Sequence, residues 1–435
     1  MIAAKMTKEG NMNSTLTTFI NETADKLTKI RPDLVQSFKQ CYPNTLETTV
    51  EALEDGTTFI ITGDIPAMWL RDSSAQIRPY MKLAAKDAEL ATLFKGAVHR
   101  QALYLTIDPY ANAFNKESNG HGHQTDATQM GPWIWERKYE LDSLCYPVQL
   151  CKDYYAATGD ASVFTETVHA MLRKIVDTML VEQNHEAQSP YTFERKDILL
   201  PSDTLPFKGK GTKVNYTGMI WSAFRPSDDA CKYGYLIPAN MFAAVVLGYI
   251  AEFAEQFYGD SALALKALQI KKDVEFGIET YGIVDHPRHG RIYAYETDGY
   301  GNYNLMDDAN VPSLLSIPYL GYRLADDEIY KRTRSFVLSA DNPHYHAGQF
   351  ARGIGSPHTP LGYVWHIGLI MQGLTSTDSA EKDAIVDMLA QTTAGTGFMH
   401  ESFDPDQPET FTRPWFAWAN SLFGQYLAEW VNEKA

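Results

Sequence analysis

Basic residues are in deficit: 38 lysines and arginines stand against 54 aspartates and glutamates, a formal net charge of −16 at pH 7. So acidic a chain repels phosphate backbones and anionic bilayers, which argues against nucleic acid and membrane surfaces as partners. Cysteine is scarce too. Cys41, Cys145, Cys151 and Cys231 form no CxxC pair, which argues against zinc ribbons and thioredoxin-type chemistry. Four thiols in 435 residues are expected in the core rather than in a disulfide framework. No run approaches the ~18–20 apolar residues of a membrane span. Met1–Asn13 lacks the apolar centre of an export signal, so a soluble, cytoplasmic protein is expected. The GxSxG nucleophile elbow, the HExxH zinc motif and the GxxxxGK[ST] phosphate loop are all missing. No metal or cofactor is therefore expected. Linkers are missing as well: no stretch rich in Pro, Ser or Gly interrupts the chain. Length alone suggests about three domains. The absence of linkers instead suggests a flexible N-terminus over 1–13 and a single catalytic domain over 14–435.

Hydrophobic residues make up 44% of the chain and aromatics 12%, enough for a large core. Many segments carry the helical period. Phe164, Val168, Met171, Leu172, Ile175 and Met179 follow steps of three and four, as do Met241, Phe242, Val245, Val246, Tyr249, Ile250 and Phe253. Asp160 and Asp260 are read as N-caps of the helices that follow them. Strand signals are few, at 58–62 and 291–295. Six loops combine Gly or Pro with carboxylates, His and aromatics: 63–73, 115–137, 221–234, 298–312, 353–360 and 399–414. Each leads into a helix-compatible segment, beginning near 71, 139, 236, 312, 362 and 415. Six chemical loops that each enter a helix suggest six inner helices opening on one rim. The expected fold is mainly α, an (α/α)6 barrel with short β elements in its loops.

The string 62–73 holds two carboxylates, Arg71 and Trp69 within a few positions. A sugar needs such a mixture: a carboxylate for vicinal hydroxyls, a guanidinium fork and an apolar wall. It reads equally as a helix start capped by Asp72 or Ser73. The string 119–126 carries His121, His123, Gln124 and Asp126. It reads first as a hydrogen-bonding loop whose glycines allow close approach to a ligand, and second as a metal site. In 221–229, Asp228 and Asp229 repel each other, and burial would raise the pKa of one enough to protonate a leaving oxygen. Arg225 opposes that by favouring the charged form, and Ser227 or Asp228 as a helix cap is the plainer reading. Glu401, beside His400 and between aromatics, is a candidate base for a water molecule. Loop 353–360 supplies His358, and 307–312 either binds substrate or caps the next helix. Carboxylates with aromatic walls and no cofactor motif point to glycosyl transfer.

These strings also carry a resemblance. GDIPAMWLRDSSAQIRPY (63–80), NGHGHQTDATQMGPWIWERKYELDSLCYP (119–147), FRPSDDA (224–230), GIGSPHTPLGYVWHIGLIMQGLTS (353–376) and MHESFDPDQPETFTRPWFAWANSLFG (399–424) resemble glycoside hydrolase family 125, the bacterial exo-α-1,6-mannosidases. The resemblance spans about residue 30 to the C-terminus. It implies an (α/α)6 barrel and metal-independent, inverting hydrolysis of terminal α-1,6-linked mannose from a mannose-containing oligosaccharide. It also implies Asp228 as general acid, with Asp229 as the fallback, and Glu401 as general base. Trp69, Arg71, Asp72, His123, Gln124, Asp126, Arg225, His358, Trp365 and Arg413 are the expected substrate-binding residues. Three other readings remain: a sugar epimerase or isomerase working through His123, His358, His366 and His400; a non-catalytic carbohydrate-binding protein; and a zinc hydrolase using His121, His123 and Asp126. The oligomeric state has no signature in the sequence.

Overall fold

The computed structural model describes residues 14–198 and 200–434; the expected flexible segment 1–13 lies outside the described residues. Two kinds of helix alternate along the chain. The first kind is buried on most sides: Leu70–Ala75, Leu141–Thr158, Ile237–Phe253, His366–Leu374 and Ala417–Lys434, with the single turn Ile317–Leu320, half of it buried, in the same series. The second kind buries one stripe. Ser261–Tyr281 buries Leu263, Ala267, Ile270, Val274 and Ile278, and Glu166–Gln183 buries Val168, Met171, Leu172, Ile175 and Met179. A helix that is apolar on every side belongs inside, and one with a single stripe covers it. Alternating the two gives inner and outer rings of an (α/α)6 barrel. The expected helix starts fall within a few residues of the observed inner helices.

The ring closes between its ends. The C-terminal helix packs on Val35–Thr48, Gly63 bridges Phe416, and the Ala417 amide donates to the Thr62 carbonyl at 3.3 Å. Gly63 has φ +131°, and a Cβ there would lie 2.9 Å from the Trp415 carbonyl oxygen, so only glycine fits the closure. Short strands sit at the rim where loops enter inner helices. Met68–Trp69 pairs with Ala113–Phe114, and Val364–Trp365 pairs with Ser402–Phe403. These two-residue ladders fix the direction in which the adjoining loop side chains leave the barrel.

Three sequence expectations need correction. Asp160 caps a short 3-10 turn at Ala161–Val163; Thr165 caps the helix Glu166–Gln183 instead. Asp260 does cap its helix, accepting from the Leu263 amide. No helix follows Ser227 or Asp228 directly, so neither is a cap. Finally, Ile237–Tyr258 is long and apolar enough, by length and composition, to cross a membrane. Of its most apolar window 78% is buried inside the protein, which is the position of a barrel's inner helix. The four cysteines are free and buried, as core thiols should be.

Candidate active site

Five of the six loops meet over a pocket of ≈ 260 Å³ at the barrel rim; 115–137 does not reach it. Its walls include Trp69, Arg71, Asp72, Asp228, His358, Trp365, Glu401 and Arg413, all expected from the sequence, together with Asp64, Asn310, Phe416 and Trp418. The volume is below the roughly 300–1,000 Å³ typical of sites for drug-sized ligands. Its lining mixes carboxylates, a guanidinium pair and indole faces, the chemistry of a polar ring with one apolar side.

Asp228 is placed by its backbone. Residues 225–229 form a tight loop in which the Arg225 amide donates to the Asp229 carbonyl at 2.8 Å. Asp228 takes φ 65°, a left-handed conformation that Asp tolerates better than most side chains. That conformation turns two neighbouring carboxylates in opposite directions. The Asp228 side chain is 25% exposed and lines the pocket. The Asp229 side chain is 0% exposed and receives Ser202 Oγ at 2.6 Å and Ser227 Oγ at 2.9 Å.

Beneath the pocket lies Arg71, in the first turn of an inner helix. Its Nη1 is 2.7 Å from Glu140 Oε2 and 3.3 Å from Asp142 Oδ2. Its Nη2 is 3.5 Å from Asp228 Oδ1, and its Nε is 3.4 Å from Asp72 Oδ1. Four carboxyls thus share one guanidinium. Burial is the largest influence on all four and favours their neutral forms. It raises the pKa of Asp72, takes Asp142 up to about 6 and drives Glu140 well up. For Asp228 the attraction of Arg71, a hydrogen bond from Glu140, Lys138 and His358 outweighs burial, and its carboxyl is held below the usual range.

Glu401 stands elsewhere on the pocket wall. Thr412 Oγ1 donates to its Oε2 at 3.0 Å, and Arg413 Nη1 lies 3.5 Å from its Oε1. Arg413 also holds Asp64, through Nε at 3.0 Å, and lies over the Phe416 ring at 4.6 Å. One oxygen of Glu401 is thus oriented by a hydroxyl while the group faces the cavity.

His358 Nδ1 is 3.6 Å from Asp229 Oδ2. Burial disfavours its cation, but Asp229 first, then Asp228 and Glu401, overcome this and take the pKa up to about 9. The folded state therefore favours protonated His358. That contribution to stability is complete below the ordinary value of 6.5 and is lost as pH rises through about 9. Across this window the wild-type melting temperature should fall more steeply than that of His358→Gln. Equal slopes in the two proteins would contradict the pairing.

Four expected residues do not line the pocket. His123 is exposed at the surface, 3.8 Å from Glu136. Gln124 donates to the Ile134 carbonyl at 2.7 Å, and Asp126 receives a two-pronged bond from Arg195 at 2.9 and 2.7 Å. The close approach at Gly122 is to the backbone of Trp135, where a Cβ would come within 2.3 Å of its carbonyl oxygen. Arg225 is buried against Glu296 at 2.6 Å, behind the loop that presents Asp228. With Asp126 committed to Arg195, the His121–His123–Asp126 arrangement offers no shared metal position. Among the described residues His286, His289 and Asp341 do cluster, but away from the pocket lining and with the Arg288 guanidinium against Asp341.

The histidine-pair reading also loses its geometry. His366 is buried, receives the His400 amide on Nδ1 at 2.9 Å and has its pKa pushed down, chiefly by burial, to about 3. His400 stacks on Phe411 at 3.7 Å. Neither lines the pocket. The sequence holds no signal for Glu140 and Asp142, which stand at the N-cap and in the first turn of Leu141–Thr158, ordinary places for acids, nor for Phe416 and Trp418. Asn310 came from a loop with two open readings, and the structure divides them: Asp307 accepts from the Leu314 and Leu315 amides, while Asn310 lines the pocket.

Residues 31–428 match the sequence profile of the family described as metal-independent alpha-mannosidase (GH125). The chain is 42% identical over 430 residues to the Schizosaccharomyces pombe meiotically up-regulated gene 157 protein, covering 92% of this chain and 83% of that one. Its structure is similar to that of a Streptococcus pneumoniae protein from a family of metal-independent alpha mannosidases, solved as a non-productive complex with α-1,6-mannobiose. There the TM-score is 0.94 and the identity 47%, over 97% of this chain and 99% of that chain. A bacterial glucoamylase complexed with acarbose shares the fold alone, at TM-score 0.55 and 12% identity, over 84% of this chain and 49% of that one.

Proposed function

Since the chain belongs to glycoside hydrolase family 125 and is an α-mannosidase with an (α/α)6 barrel, we propose that it removes terminal α-1,6-linked mannose from the non-reducing end of oligosaccharides, with inversion. The observation that carries this reading is that Asp228 and Glu401 both line one pocket of ≈ 260 Å³. The pneumococcal relative's complex with α-1,6-mannobiose supports the linkage. The unbroken core from Leu16 to Val431 supports one toroidal domain.

In this mechanism mannose sits against Trp69 and Trp365, with Arg71, Asp72, His358 and Arg413 around its hydroxyls. Asp228, protonated, donates to the departing O6. Glu401 takes a proton from a water that attacks the anomeric carbon from the opposite face. Inversion needs roughly 6.5–9.5 Å between the two carboxyls to admit that water. Asp228 suits the acid role better than Asp229, which is sealed from the cavity and already holds two hydroxyls and His358. Positive charge on the ring in the transition state is stabilised by the carboxylates below it. A panel of α-1,2-, α-1,3-, α-1,4- and α-1,6-mannobioses tests the specificity. Release of mannose from the α-1,6 isomer well ahead of the others is expected, and equal rates across the panel would overturn it.

A further inference from the structure

The acid in this mechanism must carry a proton, yet the pocket around Asp228 favours its anion. Arg71 Nη2, Asn112 Nδ2 at 3.4 Å and Lys138 all face it. Glu140, which shares the Arg71 guanidinium with it, is the reverse case. Glu140 is fully buried at the head of the inner helix Leu141–Thr158. Its Oε2 receives Arg71 Nη1 at 2.7 Å and Ser143 Oγ at 2.9 Å. Its Oε1 is buried and, among the described residues, accepts from no donor. A buried carboxylate oxygen with no donor is costly, whereas a buried carboxylic O–H aimed at another carboxylate is satisfied. Glu140 and Asp228 take the two terminal nitrogens of one guanidinium, Arg71 Nη1 at 2.7 Å and Nη2 at 3.5 Å, and the two carboxyls act on each other, raising Glu140 and lowering Asp228. The other titratable groups that act on Glu140 are Asp142 on its own helix and Cys231 beyond the Asp228 loop, while Asp72, Lys138 and His358 act on Asp228 instead. Four carboxyls around Arg71 and Lys138 exceed the available positive charge, so the cluster holds protons.

We propose that Glu140 is the proton store and positioning residue of the acid: it carries the proton in the free enzyme, donates it in a hydrogen bond to Asp228, and passes it across when substrate fills the pocket. This rests on Asp228 being the acid. Substrate displaces the water that reaches the part-exposed Asp228 carboxylate, which destabilises that anion. The Glu140 anion left by the transfer keeps its closer contacts with Arg71 and Ser143. The Glu140 O–H bond breaks as the Asp228 O–H bond forms. Asp228 then gives the proton to O6 as the glycosidic bond breaks, while water supplies a hydroxyl to the anomeric carbon and a proton to Glu401. After release, Glu401 returns its proton to solvent and Glu140 takes one up.

Glu140→Gln tests this. Its amide donates permanently to Asp228 and has no acidic proton to pass on. Turnover of α-1,6-mannobiose should fall by about 100-fold or more, the scale of lost acid catalysis. Turnover of a dinitrophenyl α-mannoside, whose leaving group needs no proton, should fall much less. An equal fall on both substrates, or no fall on either, overturns the proposal. Asp228→Asn measured in parallel separates the two claims. If it is selective and Glu140→Gln is not, only the Glu140 role fails; if it is unselective, the acid assignment fails and the Glu140 role with it. A second readout needs no variant. Infrared spectra of wild-type protein labelled with carbon-13 glutamate should show a protonated carboxyl band shifted by the label at neutral pH. A band unmoved by glutamate labelling overturns the proposal.

Discussion

Glu401→Gln is expected to lower kcat on α-1,6-mannobiose by roughly 10²–10⁴-fold, the range for loss of a positioned base. Its effect on mannose binding should be small. Gln has nearly the shape of Glu, and its amide oxygen can still accept from Thr412 Oγ1, which lies 3.0 Å from Glu401 Oε2. It cannot take a proton from water. The same loss should appear on activated aryl mannosides, since the attacking water needs its base whatever the leaving group. Steady-state kinetics on both substrate types, with a mannose titration for binding, checks this. Activity near wild type would remove Glu401 from the mechanism.

Asp228→Asn is expected to split the substrates. On α-1,6-mannobiose the sugar alkoxide is a poor leaving group, and loss of its proton donor should cost roughly 10²–10⁴-fold. On a dinitrophenyl mannoside the loss should be far smaller. Asn at 228 can retain the hydrogen-bonding shape of the loop, because the left-handed backbone there suits Asn as well as Asp. Asp229→Asn offers the contrast. Asp229 binds Ser202, Ser227 and His358 rather than facing the cavity. It should therefore weaken the loop and lower both activities together. If Asp229→Asn gives the split pattern and Asp228→Asn does not, the acid is the other residue of the pair.

The barrel was legible because inner and outer helices differ in their hydrophobic pattern, and because each loop rich in chemistry ran into a helix start. Leu70, Leu141, Ile237 and His366 begin helices close to the expected positions 71, 139, 236 and 362. The capping of the 160s helix was misread because Asp160 and Thr165 both suit a cap, and only the intervening turn decides between them. The pocket was legible where a residue's chemistry and its direction coincided, as at Trp69, Arg71, Glu401 and Arg413. It was not legible at His123, Gln124 and Asp126, whose loop supplies equally suitable groups but turns them toward Glu136, Ile134 and Arg195. Local sequence does not encode which side of a loop faces the barrel axis. Nor could it pair Arg71 with Glu140, 69 positions away. In sequence Glu140 is one acid near a helix start; in space it shares the Arg71 guanidinium with Asp228.

The account rests on two carboxyls acting on opposite faces of one mannose ring. Proton NMR of the first minutes of α-1,6-mannobiose hydrolysis, before mutarotation, tests that most directly. β-Mannose appearing first is the expected result, because water guided by Glu401 enters opposite the bond that Asp228 protonates. α-Mannose appearing first would contradict it, since retention requires a covalent intermediate on a carboxylate placed as a nucleophile rather than as a base for water.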